Sequence, residues 1–144
     1  MFSKACQYGI KATIFIAVKS QEDKRVNLNE IAKEIDSPIA FTAKVLQKLT
    51  KSKIIDSIKG ATGGFEIKKS QLDKIMISQI VTSIDGDSVY EGCGLGFGKC
   101  SEIKPCAVHF KFKKIREDLK EMLETTSLKV LSNDINNEIT FLKR

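Results

Sequence analysis

Three cysteines and the only histidine of this 144-residue chain fall in one glycine-rich stretch, GCGLGFGKCSEIKPCAVH, residues 92–109. Their order is Cys93-x6-Cys100-x5-Cys106-x2-His109. Thiolates and imidazole bind soft and borderline metals, and a thiolate is also the nucleophile of disulfide exchange. Metal binding, cluster binding and bare thiol chemistry therefore compete for this stretch. The C-x2-C pairing of a zinc ribbon is missing, so single-ion zinc binding has little motif support. Three thiolates and one imidazole can hold an iron–sulfur cluster, and histidine in place of thiolate raises its reduction potential. A cluster is larger than one ion, which suits widely spaced ligands. Gly92, Gly94, Gly96 and Gly98 let the backbone approach inorganic sulfide, where amide donors tune the potential. Pro105 stiffens the chain before Cys106. Cys106 and His109 lie three apart at the start of a predicted helix, on one face. Cys6 stands apart and reads as a small buried hydrophobe.

These residues need a scaffold. Apolar spacing over 4–19 predicts a helix with Ala5, Tyr8, Ile10, Ala12, Ile14, Phe15 and Val18 available to a core. Asn27 followed by Glu30 forms a capping-box pattern ahead of Leu28, Ile31, Ala32 and Ile35. Ser37 can cap a third helix with Pro38 as its first residue, running to about Lys51 and burying Ile39, Val45, Leu46 and Leu49. Two short helices joined by a tight turn form a helix-turn-helix. Alternation over 53–60 and 64–70, separated by ATGG, predicts a hairpin directly after that pair. This is the layout of a winged helix, with Lys59 at the hairpin tip and Lys68 and Lys69 on the return strand. A short helix over 77–84, a loop over 86–106 and a long helix over 107–126 follow. Phe112, Ile115, Leu119 and Met122 give the long helix a heptad-like stripe suited to a dimer contact. A short helix and tail close the chain. The fold class expected is mainly α. It comprises a winged helix-turn-helix domain over 1–84, a cysteine-rich loop over 85–106, and a dimerisation helix with tail over 107–144.

Charge is distributed unevenly. Residues 1–75 carry 14 Lys+Arg against 8 Asp+Glu, whereas residues 76–144 carry 10 of each. The net charge of +6 therefore belongs to the winged-helix half, which suits either a solvated basic surface or a phosphate-facing one. No apolar run approaches the roughly 20 residues that span a bilayer. The apolar ATIFIAV lies between Lys11 and Lys19 with no cleavage-site pattern after it, so a cytoplasmic protein with reduced thiols is expected. No serine–histidine–acid set, phosphate-cradling loop or paired-carboxylate motif points to an enzyme or to a small-molecule substrate.

The segments YGIKA, LNEIAKEIDSPIAFTAKVLQKLTKSKII and above all DSIKGATGGFEI resemble the BadM/Rrf family of winged-helix transcription regulators. The resemblance covers essentially the whole chain, and the hairpin pattern S-x-[KR]-G-x-x-G-G-[FY] is specific to that group. The cysteine loop is similar to the family's iron–sulfur branch. The resemblance implies homodimers that bind palindromic double-stranded DNA, and a cluster held by Cys93, Cys100, Cys106 and His109. A histidine shortly after the third cysteine looks like the [2Fe–2S] branch, favoured here over [4Fe–4S]. Relatives with an acidic fourth ligand carry it in the first helix, where this chain has Gln7, a poor iron ligand.

The same resemblance implies base contacts from Ile39, Ala40, Phe41, Thr42 and Ala43, with Lys44 and Lys48 near phosphates and Ser57, Lys59 and Gly60 on the wing. Thr42 and Lys44 can hydrogen-bond, whereas the other helix residues offer apolar contact only. Lys59 stands where relatives usually carry a minor-groove arginine, and loses the planar fork. Phe41 replaces the usual tyrosine. Ala43 replaces a glutamate that some cluster-binding relatives use to choose between operator types. The expected function is a homodimeric regulator, a repressor, whose operator affinity follows its cluster. Two rivals stay open at this stage: a cluster-free thiol/disulfide sensor that binds DNA, and a protein–protein interaction module stapled by zinc.

Overall fold

A computed structural model describes residues 1–143. Ser3 starts α1 (Lys4–Gln21), its side chain accepting a hydrogen bond from the Cys6 amide at 3.0 Å. Helices α2 (Leu28–Glu34), α3 (Ile39–Lys51), α4 (Ile77–Asp85) and α7 (Leu128–Asn136) all pack on α1. Wrapped this way, α1 buries more than the expected stripe: Thr13, Ile16 and Ala17 go inside with Ala12, Ile14, Val18 and, as expected, Cys6. The capping box of α2 forms. The Asn27 side chain accepts from the Glu30 amide at 2.9 Å, and the Glu30 carboxylate accepts from the Asn27 amide at 3.2 Å. Asp36, at φ 52°, makes the left-handed turn into α3.

Helix α3 starts one residue later than expected. Pro38 is its flanking residue and Ser37 does not cap it. Instead the Thr42 hydroxyl donates to the Pro38 carbonyl at 2.9 Å and pairs with the Ser37 hydroxyl. Val45, Leu46 and Leu49 are buried as expected, but Ile39 is 53% exposed because the helix begins at the domain surface. The helix stops in a Schellman motif. Lys53, at φ 59°, lets the Ile54 amide reach the Leu49 carbonyl and its own amide the Thr50 carbonyl, each at 3.0 Å.

The wing is an antiparallel pair, β1 (Asp56–Ile58) and β2 (Gly64–Glu66), with Ser57 opposite Phe65. Both strands are shorter than their alternation suggested. Ile54 and Ile55 are buried side by side, which a two-faced strand cannot do. On the return, Lys68 and Lys69 leave the sheet for a 3-10 turn, Lys69–Gln71, and Lys69 pairs with Asp23 at 2.8 Å. Gly63 closes the tip. A Cβ there would lie 2.1 Å from the Ile58 carbonyl oxygen, so the turn tolerates no side chain.

Beyond α4 the expected irregular loop contains a single helical turn, α5 (Ser88–Glu91). The long helix, α6 (His109–Thr125), begins two residues late, so Cys106 precedes it instead of sharing its first turn with His109. The closing helix α7 returns to the first domain. Leu128 joins Ile16, Ile31, Leu46, Leu49, Ile55 and Ile80 in the main core, each at most 1% exposed. Each such side chain contributes about 1.5–3 kcal/mol relative to exposure. A second cluster of Cys6, Ile77, Val81 and Leu123, with Val89 and Tyr90 against it, joins α1, α4, α5 and α6. Among the described residues no helix is long and apolar enough to cross a membrane.

Candidate metal centre and nucleic-acid interface

Helix α3 exposes Ile39, Ala40, Phe41, Lys44, Gln47, Lys48 and Lys51, with Ala43 half-buried. Thr42 is fully buried and its hydroxyl is engaged at Pro38, so it stabilises the helix start and does not reach outward. The Phe41 ring stands edge-on to Tyr8 of α1, centroids 5.6 Å apart, and Lys4 lies 5.2 Å over the Tyr8 ring. A groove of about 480 Å³ lined by Ala43, Gln47, Lys51, Ser57 and Phe65 separates α3 from the wing, so helix and hairpin border one surface. Ser57, Lys59 and Gly60 are exposed on that wing. Arg25 supports it from behind, its Nε 2.9 Å from Glu66 and Nη1 donating to the Thr62 carbonyl at 3.2 Å.

The four sulfur and nitrogen donors converge elsewhere, at the start of α6. A cavity of about 340 Å³ is lined by Cys93, Cys100, Cys106 and His109, with Phe97, Lys99, Ser101 and Lys104. The chain from Cys93 to Cys100 is a small closed loop. Gly92 pairs with Lys99, the Cys93 amide donates to the Gly98 carbonyl at 2.9 Å, and the Gly96 amide to the Cys93 carbonyl at 3.0 Å. Gly96 and Gly98, at φ 77° and 83°, make the bends possible. The amides of Leu95 and Phe97 first, then the Cys106 side chain and the Gly96 amide, hold the Cys93 thiol below its ordinary range. Such a ring of amides stabilises negative sulfur, whether bare or ligating.

His109 is 2% exposed. Its Nδ1 lies 3.1 Å from the Cys100 sulfur, while its Nε2 is buried without a hydrogen-bond partner. A buried ring nitrogen without a partner is costly unless something ligates it. Among the described residues no three Cys, His, Asp or Glu side chains are arranged to hold a single metal ion. The four cysteine and histidine donors line one cavity without that geometry. The four cysteines are unpaired as thiols.

Two contacts tie this loop to α6. Arg116 donates to the Gly92 carbonyl at 2.5 Å, and Gly94 lies so close to the Phe112 ring that a Cβ would fall 2.7 Å from it. An ion pair between Lys113 and Glu102 adds a third link; it lowers the Glu102 carboxyl and raises Lys113. Being exposed, that pair contributes little stability. The outer face of α6 leaves Phe112 (37%), Ile115 (54%) and Met122 (47%) open.

Residues 2–134 match the Rrf2 family, described as iron-dependent transcriptional regulators. An HTH-type transcriptional regulator of Aquifex aeolicus is 35% identical over 135 residues, covering 92% of each chain. The chain belongs to the Rrf2 family. Among solved structures, T. potens IscR superposes with a TM-score of 0.75 at 16% identity, over 98% of this chain and 92% of its own. CymR, the global cysteine regulator of B. subtilis, gives 0.73 at 21%, over 92% and 96%. Both share the winged-helix fold described above. As an Rrf2-family member the protein is a DNA-binding transcriptional regulator and not an enzyme.

Within this Rrf2 protein the structure gathers all four expected donors around one cavity and keeps Cys6 apart, fully buried in the second core. Burial, then the nearby Asp85, push the Cys6 thiol up to about 12. Of the residues expected to face DNA, Thr42 alone is withdrawn into the fold; the others lie at or near the surface. Sequence reasoning missed Tyr8 as the support of Phe41, Arg116 as the clasp on Gly92, and Gln47 on the open face of α3. Only Gln47 left a visible trace, one turn after Ala43 on the same side of the helix.

Proposed function

We propose that this Rrf2-family regulator acts as a homodimeric repressor whose operator affinity is set by an iron–sulfur cluster, [2Fe–2S], held by Cys93, Cys100, Cys106 and His109. The observation that carries this reading is a buried imidazole with an unpartnered Nε2, lining the same cavity as three unpaired cysteines. Residues 1–84 form the DNA-binding part, 85–106 the sensing loop, and α6 the dimer contact through Phe112, Ile115 and Met122. On a palindromic operator, Ile39, Ala40, Phe41 and Ala43 meet base edges in the major groove. Lys44 and Lys48 neutralise phosphates, and Ser57, Lys59 and Gly60 approach the minor groove.

A bound cluster supplies the chemistry of oxidation, reduction or loss in response to a signal. The protein converts that into geometry through its own residues. Cys93 and the Gly94–Phe112 contact fix the loop against α6. Arg116 holds the Gly92 carbonyl, and Leu123 joins α6 to Val81 and Cys6 in the second core. When the loop is ordered, α6 has one position, and in a dimer that position sets the spacing of the two α3 helices. Two such arrangements with different operator affinity make a switch.

Oxygen-free purification with iron and sulfide analysis tests this reading. Stoichiometric iron and sulfide, lost together with regulated operator binding on alanine substitution of the four ligands, is the expected result. An iron-free preparation that binds its operator identically would refute it. One observation favours a second reading, a cluster-free thiol switch: the amide-held Cys93 sulfur faces Cys106. A colourless protein that loses its operator on treatment with peroxide and regains it with reductant would establish that alternative. Family membership replaces the zinc-stapled interaction module with a DNA-binding regulator.

A further inference from the structure

We infer that Gln47 is the side chain of α3 through which this protein accepts a hydrogen bond from a base edge, and that the base it reads is adenine. The inference rests on the DNA-binding reading and extends it to one side chain. Reading a base edge in the major groove takes donors and acceptors that match it: adenine offers a donor at N6 beside an acceptor at N7, and cytosine a donor at N4. The outward side chains of α3 offer few acceptors. Ile39, Ala40, Phe41 and Ala43 have none, and Lys44, Lys48 and Lys51 are donors only. The Thr42 hydroxyl is buried on the Pro38 carbonyl at 2.9 Å, and the Thr50 hydroxyl is turned back on the Leu46 carbonyl at 2.8 Å. That leaves the Gln47 amide, exposed and carrying both an acceptor and donors.

Its position suits the task. Gln47 follows Ala43 by one turn and lines the groove between α3 and the wing with Ala43, Lys51 and Ser57. The small side chain at 43 leaves room for a long neighbour to lean towards a base edge. A glutamine meets adenine with two parallel hydrogen bonds, one accepted at its carbonyl and one donated from its amide nitrogen. Lysines on either side, at 44, 48 and 51, bring the helix to the phosphates without naming a base.

The experiment is selection of duplexes from a randomised pool by the full-length chain, followed by affinity measurements on every single-base change of the selected site. The parent protein should show an adenine preference of about tenfold to a hundredfold at one position of each half-site. Gln47→Ala should erase the preference at that position alone and leave the salt dependence unchanged, since no phosphate contact is lost. Gln47→Glu, which keeps the acceptor and removes the donor, should move the preference towards cytosine. Because residue 47 is exposed, both variants should melt at the parent temperature. If Gln47→Ala selects the same site with the same base preferences as the parent, the assignment is overturned while the DNA-binding reading stands. If the parent itself enriches no sequence, the DNA-binding reading fails and takes the assignment with it.

Discussion

Replacing Gly94 by alanine puts a methyl carbon where Phe112 already stands. That carbon would lie 2.7 Å from two ring carbons of Phe112 and 2.8 Å from a third. Relaxed carbon contacts need about 3.5–4.0 Å, so one partner must retreat by about an ångström. The ring belongs to a 17-residue helix, whereas the loop is a short exposed turn held by a handful of backbone bonds. The loop is therefore the side that gives way, carrying Cys93 out of register with Cys100 and His109. Overpacking of this kind costs about 1–3 kcal/mol, which is roughly 5-fold to 150-fold in the population of the closed loop. The assay is oxygen-free: iron and sulfide per chain, then the decay of visible absorption under a chelator. Gly94→Ala should lose its cofactor at least about 5-fold faster than the parent. Its two cores should stay folded, with unchanged helical circular dichroism at room temperature, because residue 94 lies outside both. Adding Phe112→Leu should restore retention by removing the ring edge. Parent-like retention in Gly94→Ala, or failure of the second substitution to rescue it, would refute the proposed coupling of loop to helix.

Three further outcomes are expected. Lys59→Ala should weaken binding to all duplexes alike and reduce the slope of affinity against salt by about one; an unchanged titration would remove the wing tip from the interface. Lys53→Gly should stabilise the fold by about 0.5–1 kcal/mol in denaturant unfolding, because a lysine now occupies the left-handed position of the α3 terminus at φ 59°. The Cys6 thiol, raised from 9.0 to about 12, keeps its proton in the folded chain after the unfolded chain has lost it. Stability is thus intact below about pH 9 and falls as pH rises towards 12, by up to about 1.4 kcal/mol per unit; the slope should flatten in Cys6→Ala, and an equal slope in both chains would exclude Cys6 as its source.

Local signals made much of the fold legible. Asn27 and Glu30 announce α2 because their bonds span only three residues, and GATGG announces the wing because only glycines make that turn. What depended on long-range packing was not visible. Thr42 reads as an outward hydroxyl until Pro38 denies α3 its first cap and the side chain turns back to the Pro38 carbonyl. Ile54 and Ile55 look like half of an alternating strand, yet both face the core because the Schellman turn delivers them there. For the site, residue types and spacing singled out the three cysteines and the histidine that line one cavity, and the family resemblance alone implied a ligand set. They could not reveal that His109, and not Cys106, opens α6, because neither residue carries a capping preference that would mark the boundary. Nor could they reveal Arg116 or Phe112, whose roles exist only once the loop folds over the helix. Alternation alone places Lys68 and Lys69 on the return strand, which the 3-10 turn interrupts.

The junction after α6 has a mechanical consequence. Ile77 donates to the Thr126 carbonyl at 3.1 Å and Leu128 to the Ile75 carbonyl at 2.9 Å, so the distal end of the helix is stitched to the body. The end bearing His109 is fastened mainly through the loop. At 1.5 Å per residue the rod between them is about 25 Å long. Leu119 and Leu123 also pack on the second core, so the free arm runs from about residue 119 to His109, about 15 Å, and a tilt of about 10° at its base sweeps the histidine end through roughly 3 Å. Displacement is thus greatest beside Cys100 and His109 and smallest beside the stitched junction, so in the proposed switch the signal would travel as a change in angle of that arm.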